Sequence, residues 1–203
     1  MWTDIKTRWK QWDWHGARIF NQRSPSSRPE LVRRIIREFV DPCGPSARIL
    51  DVGGTRQGFL SRLNGEFGHL RERTCLVNPR GGPEIAFRDV ASIPPDAEPF
   101  DLAMMFGVMV YLDEDRLMAT LRGIHRCLRP GGALIITDPD GAKLANHLER
   151  PIKPFFGLPS DMYTAAETLR HLRAAGFVRC RRRPDLGGSS RYLTVVGYRR
   201  PMR

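Results

Sequence analysis

The segment Asp51-Val52-Gly53-Gly54-Thr55-Arg56-Gln57-Gly58 directly follows the apolar run Ile49-Leu50. Glycines at such a place let the backbone approach a ligand closely, and a helix start beyond them offers free N–H donors. Side chains able to accept a proton occur later, at Tyr111, Asp138, Asp140 and His147. Spacing singles out none of these four. The plainer alternatives are that Asp138 caps a turn with Pro139 and that His147 is a solvated loop residue. The histidines at 15, 69, 125, 147 and 171 lie far apart and lack ligand spacing, so no metal site is expected. His125 is read as structural or exposed.

These residues need elements to position them. Ser27 is a helix N-cap candidate, and the following helix runs to Val40 with Leu31, Ile35 and Phe39 on one side. From Ala47 strands and helices alternate. Strands are expected at 47–52, 74–77, 85–87, 100–105 and 133–137, with helices at 59–67, 113–128 and 164–175. Phe177–Arg182 and Tyr192–Tyr198 read as a closing antiparallel pair around Gly187-Gly188-Ser189-Ser190. Such alternation implies an α/β fold, a Rossmann-like, doubly wound and mainly parallel seven-stranded sheet with an antiparallel C-terminal hairpin. In such sheets ligands bind beyond the carboxyl ends of the strands. The stretch 138–160 has no clear period and is well placed to build a second pocket.

Four stretches together resemble the class I S-adenosylmethionine-dependent methyltransferase family: Arg48–Gly53, Arg88-Asp89-Val90, Pro99–Ala103, and Leu128–Pro139 with its Arg-Pro-Gly-Gly turn. Ala175-Gly176-Phe177 and the final hairpin are similar to that family's ending. The resemblance covers roughly residues 46–200. It implies S-adenosylmethionine as cofactor, with Asp51, Gly53, Gly54 and Gly58 around its methionine part, Asp89 and Val90 at the adenine, and Phe106 and Gly107 as the floor beside the sulfonium. Methyl transfer is an in-line displacement that needs placement more than elaborate catalysis, and a base only when the acceptor is protonated.

Two features depart from the family pattern. Its loop continues Gly-x-Gly-x-Gly, whereas the second and third positions here are Thr55 and Gln57, with Gly54 and Gly58 each displaced by one. The acidic residue that normally grips the ribose diol at the end of strand two is Asn78. An amide offers one acceptor oxygen and two donors, and loss of charge assistance costs about 1 kcal/mol.

Composition narrows the setting. The chain of 203 residues is 41% hydrophobic, carries a net charge of +11, and has an apolar run nowhere near the ~20 residues of a membrane span. Of its 33 basic residues 29 are arginine, a field that attracts anions. Cys43, Cys75, Cys127 and Cys180 form no CxxC pair, which with the absence of an apolar leader at Met1–Lys6 points to a reducing cytoplasm. Residues 1–28 form a separate basic segment ahead of a domain at 29–203, and hold Trp2, Trp9, Trp12 and Trp14. These tryptophans pack on the domain or roof its pocket, or anchor residues 1–16 peripherally to an anionic membrane, or stack on nucleic-acid bases. The expected function is methyl transfer to a small-molecule or lipid- or glycan-linked acceptor. A non-catalytic scaffold on the same fold is the alternative, and a nucleic-acid methyltransferase, carried by charge alone, is the third.

Overall fold

The computed structural model describes residues 29–55, 58–59, 63–143, 162–186 and 192–201. Ser27, the tryptophan segment, Gln57, His147 and the 187–190 turn lie outside them, as does most of the unpatterned 138–160 stretch.

Seven strands form one sheet: β1 Ile49–Val52, β2 Thr74–Val77, β3 Ile85–Phe87, β4 Phe100–Phe106, β5 Leu128–Pro139, β6 Val178–Arg182 and β7 Tyr192–Tyr198, in the order β3-β2-β1-β4-β5-β7-β6. The pairs from β3 through β5 are parallel, and β7 lies antiparallel between β5 and β6. The expected mainly parallel sheet with an antiparallel C-terminal pair is therefore present. The chain builds β1, β2 and β3 outward in one direction and returns to place β4 on the other side of β1. The strand order switches between β1 and β4, where ligands bind in folds of this type.

Both faces of the sheet are covered. Leu50, Val52, Leu134 and Ile136 look into one core, beneath α2 (Glu114–Cys127) and α3 (Ala165–Ala174). Ile49, Met104 and Ile135 look into the other, beneath α1 (Pro29–Ile35) and its continuation Ile36–Val40. A strand buried on two faces carries few polar residues, which makes Asp51 in β1 conspicuous.

Asp113 caps α2 through a bond from the Arg116 amide, and Leu117, Leu121 and Ile124 line its buried face. Thr164 and Glu167 form a reciprocal capping box on α3. In α1, buried pairs recur every four residues (Leu31-Val32, Ile35-Ile36, Phe39-Val40), a longer repeat than the 3.6 of an α-helix. The chain widens into a π-helix at Ile36–Val40, which keeps the last pairs on the core face.

The fifth strand is longer than expected. Phe100 faces Leu128, but Leu102 already faces Ala133, so residues 129–132 bulge out of an extended strand. Gly132 permits this: a β-carbon there would stand 2.9 Å from the Arg129 carbonyl oxygen and 3.1 Å from that of Asp101. Of the expected 59–67 helix, residues 60–62 lie outside the described residues, and 65–67 belong to a 3-10 helix at Gly65–Leu70.

Candidate functional site

The carboxyl ends of β1, β2, β4 and β5 meet at one edge of the sheet, and contacts of Asn78, Gly53 and Asp138 tie them together. Asn78, the first residue after β2, donates from Nδ2 to the carbonyl of Gly53 at 3.2 Å and to that of Gly54 at 3.1 Å. Its Oδ1 accepts the Arg80 amide at 3.0 Å. Gly53 has φ +78, and a β-carbon on it would stand 2.3 Å from Cγ2 of Val108, which follows β4. The loop after β1 therefore lies directly against the loop after β4. Asp138, near the end of β5, holds that second loop by accepting the amides of Val108 at 3.2 Å, Met109 at 3.3 Å and Val110 at 3.4 Å.

Asp51 lies beneath the glycine turn, only 3% exposed. Removal from water pushes its carboxyl up to about 7. Gly54 closes over it. Beyond, the Gly58 amide donates to the Thr55 carbonyl at 2.9 Å.

Gly107 follows β4 with φ +68, donates to the Thr137 carbonyl, and has nothing within 4 Å where its β-carbon would point. Phe106 beside it packs on the α1 side of the sheet. Asp89 is exposed and accepts the Ala91 amide at 2.9 Å, capping a 3-10 turn at Val90–Ser92. Thus Asp51, Gly53, Gly54, Asn78 and Gly107 gather around the switch point between β1 and β4, while Asp89 follows β3, two strands out from β1.

Two of the sequence expectations, Val90 and Asp138, need correction. The Val90 side chain is buried in the core, with its Cγ1 2.9 Å from the β-carbon position of Gly123, so it does not face a ligand. Asp138 is 2% exposed and spends its oxygens on backbone amides, so it is a loop anchor rather than an open base. Burial pushes its carboxyl up to about 7 while those amides pull it down. Asn78 holds the glycine turn with both its donors. Of the remaining proton acceptors, Asp140 is also buried, accepting the Ala142 amide and facing Arg182 at 3.4 Å. Tyr111 is 57% exposed at the end of the short helix Met109–Tyr111. His125 packs edge-on to Phe177, and desolvation lowers its pKa, in keeping with a structural residue.

Two participants had no signal in the sequence. Val108 is an ordinary apolar residue whose role arises only from its contact with Gly53. Tyr163 donates to the Leu112 carbonyl at 3.1 Å, and its own carbonyl accepts the Gly141 amide at 3.0 Å, so it bridges the segments after β4 and β5.

The residues fit a nucleoside sulfonium on the methionine side. A close-approach glycine turn, a buried acid beneath it and the open floor at Gly107 are all present. They do not supply the two acceptors that a ribose diol takes from the end of β2.

A family model described as a methyltransferase domain matches residues 25–179. Among solved structures, an S-adenosylmethionine-dependent methyltransferase from Archaeoglobus fulgidus is 16% identical with a TM-score of 0.63, over 89% of this chain and 98% of that one. The 1,6-didemethyltoxoflavin-N1-methyltransferase of Burkholderia thailandensis, solved with 1,6-didemethyltoxoflavin and S-adenosylhomocysteine, is 20% identical with a TM-score of 0.62, over 97% and 87%. Human N-acetylserotonin methyltransferase is 15% identical with a TM-score of 0.57, over 89% of this chain but 58% of its own. No curated protein matches in sequence. Among the described residues no group of three or more His, Cys, Asp or Glu side chains could hold a metal ion, and no helix is long and apolar enough to cross a membrane.

Proposed function

This chain belongs to the methyltransferase-domain family of the class I S-adenosylmethionine-dependent type, and from that premise we propose that it transfers a methyl group to a small-molecule acceptor. The observation that carries this reading is the closed contact at the switch point, where Gly53 lies on Val108 and Gly107 leaves open floor beside it. A methyl donor bound there supplies an electrophilic methyl group on a sulfonium.

The chain's own residues supply placement. Gly53 seats the turn after β1 on Val108, and Gly54 lets it close over the Asp51 carboxyl, so the turn is held in one place. The Asp138 anchor fixes the β4 loop that forms the other wall, which favours reaction by limiting the geometries the partners can take. Tyr111, exposed on the short helix after β4, is the candidate for proton transfer. The neighbours with small-molecule acceptors in their descriptions, 1,6-didemethyltoxoflavin and N-acetylserotonin, support a small acceptor here.

A second reading, a non-catalytic binding protein on the same fold, is favoured by the engagement of Asn78 with the loop. Calorimetry separates the proposals. Binding of both S-adenosylmethionine and S-adenosylhomocysteine, with methyl transfer to at least one member of an acceptor panel, supports the enzyme. Binding without transfer supports the scaffold. No heat from either ligand at millimolar concentration overturns the enzyme reading and leaves the non-catalytic one standing.

A further inference from the structure

We propose that Asn78 is a positioning residue of the glycine turn rather than a ribose ligand, so that the site reads little of the ribose hydroxyls at the end of β2. This rests on the cofactor reading above and sharpens which part of the nucleoside is recognised.

Hydrogen-bond accounting carries the argument. A carboxamide has two N–H donors and one acceptor oxygen with two lone pairs. In this structure the donors reach the carbonyls of Gly53 and Gly54, and Oδ1 accepts the Arg80 amide. The orientation of the amide is unambiguous, because the reversed group would set its oxygen against two carbonyls and its NH2 against an N–H donor. One lone pair is left for a diol that has two hydroxyls to donate. A carboxylate at this place could take both hydroxyls but could donate to neither glycine carbonyl.

The two roles therefore exclude each other in one side chain. Asn78 pins a turn whose glycines replace the family's usual spacing. Thr55 stands where that pattern has a glycine, and its carbonyl accepts the Gly58 amide. Its carbonyls face the end of β2, and a donor there fixes them. Gly53 then seats on Val108, and the loops on the two sides of the switch point come into register. The ligand-facing consequence is one of specificity. Recognition shifts from the ribose to the glycine turn and the adenine.

Two measurements test this. The first is the Asn78→Asp variant, which restores the acidic residue that the family pattern has here. The expected result is a lower thermal midpoint without ligand and at least tenfold weaker binding of S-adenosylhomocysteine. Tighter binding would overturn the proposal. The second uses the unmodified protein, so it stands even if the variant does not fold. Affinities for S-adenosylhomocysteine and its 2′-deoxy counterpart should agree within threefold, and a tenfold or greater preference for the ribose form would overturn the proposal. Should the unmodified protein bind neither ligand, the cofactor reading fails by itself. The turn-pinning role is then decided by NMR exchange of the Asn78 side-chain amide protons: slow exchange supports it, and exchange at the rate of a free amide overturns it.

Discussion

The carboxylate of Asp51 fills the space that a β-carbon on Gly54 would need. That carbon would stand 2.3 Å from Oδ2 and 2.4 Å from Cγ of the aspartate. The glycine is thus required by sterics alone, because unlike Gly53 its backbone torsion lies outside the left-handed region. A buried acid and the residue that roofs it are a matched pair.

The Gly54→Ala variant should lose about 1–3 kcal/mol of stability, the usual range for overpacking a close-fitted site. The loss should shrink when it is combined with Asp51→Ala, since removing the carboxylate frees the space. Urea unfolding of the two single variants and the double variant checks this. Strict additivity would show that the contact does not govern the site.

Asp51 also sets a pH dependence. Its carboxyl is raised from 3.8 to about 7 in the folded protein, so the folded state holds a proton that the unfolded chain releases. The resulting stabilisation is complete below about pH 4 and is lost as pH rises through 7. Asp51→Asn, which cannot ionise, should flatten the fall in thermal midpoint between pH 5 and 8.5. The change is bounded at about 4 kcal/mol. An unchanged slope would assign the effect elsewhere, with Asp138 the next buried acid to test.

Replacing Asp138 tests the loop anchor. Asp138→Asn puts an NH2 against backbone amides that now have acceptors, leaving part of the Val108–Val110 set unsatisfied. A loss of about 1–3 kcal/mol is expected. The same variant should reduce methyl transfer, and unchanged activity would show that the anchor does not support the reaction.

The far end of the molecule offers an electrostatic prediction. Arg183 donates to both Glu38 and Asp185 and lies over the Phe39 ring, tying the end of α1's continuation to the chain after β6. Both acids are held below the usual carboxylate range, chiefly by that side-chain bond. Because Glu38 is 35% exposed, Glu38→Ala should cost no more than about 1 kcal/mol, and the cost should shrink in 1 M salt. Equal losses at both salt concentrations would mark the effect as packing.

The tryptophan-rich start is an independent proposal from sequence. If residues 1–16 anchor the protein to an anionic surface, deleting them abolishes co-sedimentation with anionic liposomes. Unchanged sedimentation rejects the anchor.

Much of the fold was legible because parallel strands buried on two faces announce themselves as short apolar runs. The expected limits of β2, β3 and β7 coincide with those observed. β5 differed because its Arg129–Gly132 bulge depends on carbonyls of β4, which no local pattern reveals. The π-helical end of α1 was hidden for a similar reason. Its sequence shows an apolar stripe, and only the core beneath requires the wider turn.

At the site, the sequence by itself determined which chemical groups stand at the strand ends: two glycines, a buried-strand acid, an amide where an acid is usual. Those follow from residue identity and from the period of the elements carrying them. Tertiary structure alone decided what each group does. Asn78 could have faced a ligand or a loop, and Asp138 could have been a base or an anchor. The difference lies in which backbone amides and carbonyls come within about 3 Å, a hydrogen-bonding distance that only packing across four strands can set.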